Sequence, residues 1–123
     1  MKTVLVAEDE PAILEMMTAV LEDEGLRVVQ ASDGMAALEL LTREIPDLVL
    51  TDAMMPRLDG IGLVHRMRAD PRWAAVPVVV VSAVLRAEPE GFPGVRFLAK
   101  PFDLGRLLAV IAAVLDEAHS GAD

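Results

Sequence analysis

The stretch VLVAEDEP, residues 4–11, joins an apolar run directly to three carboxylates and a proline. The run Val4–Ala7 is typical of a short strand that is buried on both faces of a sheet. Pro11 favours the first turn of a helix, where its missing N–H costs no hydrogen bond. The three acids therefore lie in a turn between a buried strand and a helix. Negative charge of this density at a strand end calls for a partner of opposite sign.

The alternation of strand and helix patterns continues along the chain. Four further strands are predicted at Arg27–Ala31, Asp47–Thr51, Val78–Val81 and Val95–Leu98. Helical stripes or turn residues separate these runs, and the last helix follows the fifth strand. Strands that alternate with helices pair in parallel through right-handed crossover connections. We therefore predict an α/β fold with a doubly wound, five-stranded parallel sheet.

Composition limits the classes of function. The chain has 123 residues, enough for one domain, and its net charge of -9 argues against a nucleic-acid-binding surface. It has no cysteine, which excludes disulfides, thiolate metal sites and a cysteine nucleophile. Its apolar runs are too short for a signal peptide or a membrane span. We therefore expect a cytoplasmic protein with no membrane association and no direct nucleic-acid partner.

Polar residues that suit a functional site follow the first, third, fourth and fifth predicted strands. Glu8 and Asp9 follow the first, Asp52 the third, Ser82 the fourth and Lys100 the fifth. An open, doubly wound sheet binds its ligands outside the carboxyl ends of its strands. If these strands lie close together, three carboxylates, one hydroxyl and one ammonium group meet at one edge of the sheet.

These groups suit phosphoryl transfer. Three carboxylates in close contact repel one another and favour a bound cation. Oxygen ligands without a nearby His or Cys suit Mg²⁺, which keeps several waters and often meets a phosphate. Lys100 adds a point charge for phosphate oxygens. A carboxylate can accept a phosphoryl group covalently, and Asp52 is the central carboxylate of the set.

Each of these residues also has an ordinary structural interpretation. The acids that follow the first strand could stabilise the dipole of the next helix, and Asp52 could be a loop or cap residue. Ser82 could be an ordinary strand-end hydroxyl, and Lys100 could be a solvated base. Their joint occurrence at four strand ends favours the functional interpretation.

At these residues the chain resembles the receiver domain of bacterial response regulators, the CheY-like phosphoacceptor of two-component signalling. The matching stretches are VLVAEDEP, the pair Asp33-Gly34, DLVLTDAMMPRLDG, RADPRWAAVPVVVVSA and FLAKPF. The resemblance implies a flavodoxin-like sheet in the order 2-1-3-4-5. It implies a receiver domain over residues 1–118, and we expect a disordered tail over residues 119–123.

The resemblance also implies roles for individual residues. Asp52 would be the phosphorylated aspartate. Asp9 would bind Mg²⁺ directly, Glu8 would act through water, and Met54 would offer its backbone carbonyl to the metal. The phosphoryl group would come from a sensor histidine kinase or a histidine phosphotransfer protein. The domain would thus be a phosphorylation-controlled switch that catalyses only its own phosphotransfer and dephosphorylation, and not an enzyme with a separate substrate.

Three further positions match the family near the fourth and fifth strands. Ser82 stands where the family has a Thr or Ser that bonds the phosphoryl group, and Lys100 is the family's lysine. The bond from Lys100 to Pro101 is commonly cis in the family. Phe97 stands at the switch aromatic position, and with Ser82 it would carry the signal away from the acceptor.

The chain departs from the family between Ser82 and Lys100. This segment is shorter than usual by about one helical turn. It contains Pro89, Gly91, Pro93 and Gly94, which oppose a regular helix. Helix 4 of the family is therefore predicted to be short or missing here, and the family's usual output face is altered.

The last helix offers another contact surface. Ala109, Val110 and Ala113 give its outer side an apolar character. A homodimer or an effector contact through this helix is therefore an open alternative to an ordinary solvated surface.

Three rival functions share parts of this pattern. A pseudo-receiver, which binds a partner independently of phosphorylation, would lack one of Asp52, Asp9 or Lys100. None of the three is missing here, but the shortened helix keeps this alternative open. A flavin-binding carrier needs a hydroxyl- or glycine-rich loop where this chain has AEDE. A phosphatase with an aspartate nucleophile needs a second aspartate at the place of Met54.

Overall fold

The computed structural model of the protein describes residues 1–83 and 94–121. Its described elements alternate as the apolar pattern predicts. They are β1 (Thr3–Ala7), α1 (Pro11–Asp23), β2 (Arg27–Ala31), α2 (Gly34–Arg43), β3 (Leu48–Asp52), α3 (Gly60–Ala69), β4 (Val78–Ser82), β5 (Val95–Ala99) and α4 (Leu104–Gly121).

The five strands form one parallel sheet in the order β2-β1-β3-β4-β5. Both the parallel pairing and the order 2-1-3-4-5 are therefore confirmed. From β1 the chain moves outward to β2, and then crosses to the other side of β1 to form β3. The direction of winding reverses between β1 and β3, which is where a doubly wound sheet opens a crevice for a ligand.

The core has two layers, one on each face of the sheet. In β4 the side chains of Val78 and Val80 pack with α2 and α3, while those of Val79 and Val81 pack with α1 and α4. All four have no exposed surface. A strand covered on both faces needs a continuous apolar sequence, which explains the run of valines.

The helices begin at residues that suit a helix N-terminus. Pro11 occupies the first turn of α1. Asp33 accepts the Ala36 N–H at the start of α2, and Asp59 accepts the Gly62 N–H at the start of α3. At the start of α4, Asp103 accepts the Arg106 N–H. These caps satisfy N–H groups that the first helical turn leaves unpaired.

Two predictions about the second half of the chain have different outcomes. The short or missing helix between Ser82 and Lys100 falls on residues 84–93, which lie outside the described residues. Helix α4 continues to Gly121, so residues 119–121 are helical where the sequence placed a tail. The limit of the domain at residue 118 stays a prediction. Within residues 1–83 and 94–121, no helix combines the length and apolar content that a membrane crossing requires.

Gly60 packs the start of α3 directly against the end of β3. Its N–H donates to the Ala53 carbonyl at 2.9 Å. A Cβ atom at this position would lie 2.3 Å from the backbone oxygen of Asp52 and 3.0 Å from the Cα atom of Ala53. Backbone atoms cannot withdraw without moving the strand end, so only glycine fits here.

Gly60→Ala should therefore destabilise the domain by about 2 kcal/mol or more, because overpacking against a backbone forces it to move. Urea or thermal unfolding measures the change. Gly105→Ala is the matched control, since its Cβ would meet only a side-chain oxygen of Asp103, at 3.3 Å. The control should stay within about 1 kcal/mol of the parent. Equal stability of Gly60→Ala and the parent would contradict the packing argument.

Candidate functional site

The candidate site lies at the carboxyl edge of the sheet, where β1, β3 and β5 end. Ala7 pairs with Thr51, so the residues that follow β1 lie beside Asp52, the last residue of β3. Glu8, Asp9 and Asp52 each offer a carboxylate oxygen, and these oxygens all lie within 4.8 Å of one another. The structure thus brings together the three carboxylates that the sequence placed at these strand ends.

Lys100 contacts this cluster from the end of β5. Its Nζ atom donates to Oδ2 of Asp52 at 3.2 Å. The Lys100 N–H donates to the Ser82 carbonyl at 2.9 Å, which extends the pairing of β4 and β5 by one residue. The following bond to Pro101 is cis. The ammonium group is therefore held beside Asp52 by the backbone of the strand that precedes it.

Glu8 is the buried member of the cluster, with only 1% of its surface exposed. The Glu8 N–H donates to the Ala31 carbonyl, and its Oε2 atom accepts the Glu10 N–H at 3.1 Å. Its Oε1 atom has no hydrogen-bond partner among the described residues. Burial raises the pKa of Glu8, and the negative charge of Asp52 raises it further, although the Glu10 N–H opposes both effects.

The donor set fits Mg²⁺. All three candidate ligands are carboxylates, the hard oxygen ligands that this ion prefers. A buried carboxylate oxygen without a donor needs a cation or a water to compensate it, and Glu8 supplies such an atom. Asp9 is exposed and Asp52 partly exposed, which leaves room for the waters that Mg²⁺ retains.

The other predicted site residues lie on the same edge or close to it. Met54 follows Asp52 by two residues, and 66% of its surface is exposed. Ser82 ends β4 and is 2% exposed, one residue beyond the partner of Asp52 in the sheet. Phe97 lies opposite Val80 in the sheet and packs, partly buried, against the core layer of α2 and α3. The functional roles of these three residues stay predictions.

An open apolar groove adjoins the site on the side of α1. It has a volume of about 380 Å³, and Lys100 lines it together with Ile13 and Met16 of α1 and with Pro101 and Phe102. A partner that reached Asp52 from this side would meet apolar surface next to the charged cluster.

The outer side of α4 is apolar only in part. Ala109 and Ala113 are exposed, as the sequence predicted for this face. Val110 is instead half-buried and packs against the core layer of α1 and α4. The contact surface proposed for this helix is therefore smaller than its sequence indicates.

Sequence reasoning missed an ion pair beside the site. Arg57 donates to both carboxylate oxygens of Asp33, at 2.9 and 3.0 Å. The sequence analysis named Asp33 only in the pair Asp33-Gly34, one of the stretches that resemble the receiver family. Arg57 is 24 residues away from Asp33 in sequence, so only the fold reveals their contact.

The family model of the response regulator receiver domain matches residues 4–112. The chain belongs to this family. Among curated relatives, the DNA-binding dual master transcriptional regulator RpaA of Synechocystis sp. is 35% identical over 119 residues, covering 94% of this chain and 49% of RpaA. Protein PilH of Pseudomonas aeruginosa is 34% identical over 119 residues, covering 94% of this chain and 98% of PilH. The receiver domain spans about half the length of the curated relatives RpaA and GtcR.

Solved structures agree with this assignment. The receiver domain of a Pseudomonas aeruginosa sensor histidine kinase, with a magnesium ion coordinated in its active-site cleft, has a TM-score of 0.83 at 28% identity. The match covers 94% of this chain and 98% of that one. A sensor protein from Polaromonas sp. has a TM-score of 0.86 at 26% identity and covers 95% of this chain and 98% of that one. The predicted receiver fold is thus confirmed.

The raised pKa of Glu8 predicts how stability depends on pH in the metal-free protein. The folded state keeps this proton at a pH where the unfolded chain, with an ordinary Glu pKa of about 4.3, has lost it. The free energy of unfolding should therefore fall as pH rises through the raised pKa. Glu8→Gln removes this ionisation, so in EDTA its melting temperature should exceed that of the parent at about pH 8 and converge with it near pH 4.

Thermal unfolding followed by circular dichroism checks this prediction. Glu15→Gln is the control, because Glu15 lies on the exposed side of α1 and should show no gain that depends on pH. A Glu8→Gln variant less stable than the parent throughout this range would contradict the desolvation argument.

Proposed function

We propose that this receiver domain accepts a phosphoryl group on Asp52, in a step that depends on Mg²⁺. The donor would be a phosphohistidine of a sensor histidine kinase or of a histidine phosphotransfer protein. One observation carries the proposal: three carboxylates converge at the strand ends, and the Lys100 ammonium donates to one of them, Asp52. The magnesium-bound receiver domain from Pseudomonas aeruginosa supports the choice of ion.

The proposed transfer forms a bond from a carboxylate oxygen of Asp52 to phosphorus and breaks the phosphorus–nitrogen bond of the donor. The donor imidazole keeps the electron pair of the broken bond. Lys100, at 3.2 Å from Asp52, would bind the oxygens of the arriving phosphoryl group. A bound Mg²⁺ would neutralise part of the charge on those oxygens. Asp9 would hold the ion directly, Glu8 through water, and Met54 through its backbone carbonyl.

Phosphorylation would then act as a switch. It adds a charge of about -1.5 to -2, taking the value for phosphorylated side chains as a guide. Ser82, at the end of the neighbouring strand, would donate to the new phosphoryl oxygens. Ser82 would shift toward these oxygens as it does so. Phe97, which packs against the core layer of α2 and α3, would then rotate into the space that Ser82 leaves. Charge-assisted hydrogen bonds of this kind are about twice as strong as neutral ones.

Partners and location are part of the same proposal. The apolar groove beside Lys100 offers a docking surface for the phosphodonor. The exposed alanines of α4 offer a smaller surface for an effector or a second copy of the domain. The net charge of -9 supports signalling through protein contacts without direct nucleic-acid binding. We place the domain at residues 1–118 and in the cytoplasm, acting as a phosphoacceptor and not as an enzyme with a separate substrate.

Acetyl phosphate tests the proposal without a known kinase. After incubation with acetyl phosphate and Mg²⁺, the intact mass of the parent should rise by one phosphoryl group, because Asp52 is held beside a metal site and an ammonium group. Asp52→Asn should gain nothing. Asp59→Asn is the matched control, since Asn preserves the cap of α3 and Asp59 lies outside the cluster.

A phosphoryl group gained by Asp52→Asn would contradict the assignment of the acceptor. No gain by the parent would contradict phosphoacceptor function. It would favour the pseudo-receiver alternative, in which the domain binds its partner without phosphorylation.

A further inference from the structure

The loop between β3 and α3, residues 53–59, contains a strained turn. Arg57 has a φ of 67°, a region that side chains other than glycine rarely adopt. The Leu58 N–H donates to the Pro56 carbonyl at 2.8 Å, so the chain closes a tight γ-turn around Arg57. A γ-turn with positive φ at its centre is rare and strained. Surrounding contacts must therefore hold it in place.

The side chain of Arg57 supplies one of these contacts. Its Nε atom donates to Oδ2 of Asp33 at 2.9 Å, and its Nη2 atom donates to Oδ1 at 3.0 Å. Paired parallel bonds of this kind fix geometry as well as adding energy. Asp33 is well suited as an anchor, because its side chain is only 14% exposed and it also accepts the Ala36 N–H. Arg57 and this N–H together lower the pKa of Asp33.

The backbone of the loop packs against the same helix end. A Cβ atom on Gly34, the first residue of α2, would lie 1.9 Å from the backbone oxygen of Leu58. At the other end of the loop, the Gly60 N–H binds the Ala53 carbonyl. The hydrogen bond between Gly60 and Ala53 therefore closes the loop that carries Met54, and the start of α2 contacts the loop at residues 57 and 58.

We propose that Arg57 is a positioning residue for the phosphoacceptor site. Its pairing with Asp33 keeps the loop in the strained turn, and thereby keeps the backbone of Met54 where it can serve a bound Mg²⁺. The inference rests on the proposed function, because it assumes that this site binds the ion. It also ties the start of α2, which carries no residue of the carboxylate cluster, to the chemistry at Asp52.

If Arg57 and Asp33 affected the ion only through their charges, removal of Arg57 would change the Mg²⁺ affinity in the direction opposite to that expected from loss of positioning. Arg57 carries a positive charge near a cation site, so its removal alone should strengthen Mg²⁺ binding. Loss of positioning should instead weaken Mg²⁺ binding. Removal of the charge of Asp33 weakens binding in either case, so the sign of the change at Arg57 separates the two explanations.

The test is a titration with Mg²⁺, followed by calorimetry or by NMR of the loop amides. Arg57→Ala and Asp33→Asn should each weaken binding by about three- to fivefold, the range that a well-formed exposed ion pair can supply. The double variant Arg57→Ala/Asp33→Asn should lose no more Mg²⁺ affinity than either single variant, since both substitutions remove the same contact. Asn at position 33 preserves the cap of α2.

Arg57→Gly separates the loss of the ion pair from the strain of the turn. Glycine adopts a positive φ at little cost, so this variant should keep the turn without the ion pair. Its melting temperature should stay close to that of the parent, and it should lose less Mg²⁺ affinity than Arg57→Ala. Arg43→Ala is the matched control. It removes an exposed arginine paired with Glu39 on α2, outside the loop, and should leave the Mg²⁺ affinity within about twofold of the parent.

An Arg57→Ala variant that binds Mg²⁺ as tightly as the parent, or more tightly, would overturn the inference. If the parent still gains a phosphoryl group from acetyl phosphate, only the role of Arg57 falls. If the parent binds no Mg²⁺ at all, the inference and the metal dependence of the proposed function fall together.

Discussion

Repulsion among three carboxylates within 4.8 Å of one another is the constraint on which the site depends. Glu8 cannot turn out to water, because it is buried and its backbone is bonded to the end of β2. The ammonium of Lys100 compensates the negative charge of Asp52. When Glu8 and Asp9 are both ionised, two negative charges remain, which is the charge that a divalent cation neutralises. The carboxylate repulsion that destabilises the metal-free protein is therefore also the source of its affinity for a small, hard cation.

Such crowding is possible only on a rigid frame. The three carboxylates come from the ends of β1 and β3, and Lys100 comes from the end of β5. Their separation depends on the register of a sheet whose central strand, β3, is buried from Leu48 to Thr51. Gly60 fixes the end of β3, because its backbone lies directly against that of Asp52. Arg57 and Asp33 hold the loop that follows. Backbone packing, the strained turn and the ion pair therefore all constrain one short segment, residues 52–60.

Much of this arrangement follows from the sequence. Apolar runs and helix caps locate the elements, and parallel strands bring Glu8, Asp52 and Lys100 to one edge once the order of the sheet is known. That order came from the resemblance to receiver domains, since periodicity alone does not give it. The pairing of Arg57 with Asp33 could not be predicted, nor could the Glu8 oxygen that has no hydrogen-bond partner in the described part of the chain. Both depend on distances between remote segments.

The most direct test of the central claim is the effect of Mg²⁺ on thermal stability after treatment with EDTA. An ion that binds only the folded state raises the melting temperature, and the rise grows with its concentration. The account predicts such a rise for the parent, and little or none for Asp9→Asn, which removes one carboxylate of the cluster. A melting temperature of the parent that does not respond to Mg²⁺, or an equal rise in Asp9→Asn, would contradict it.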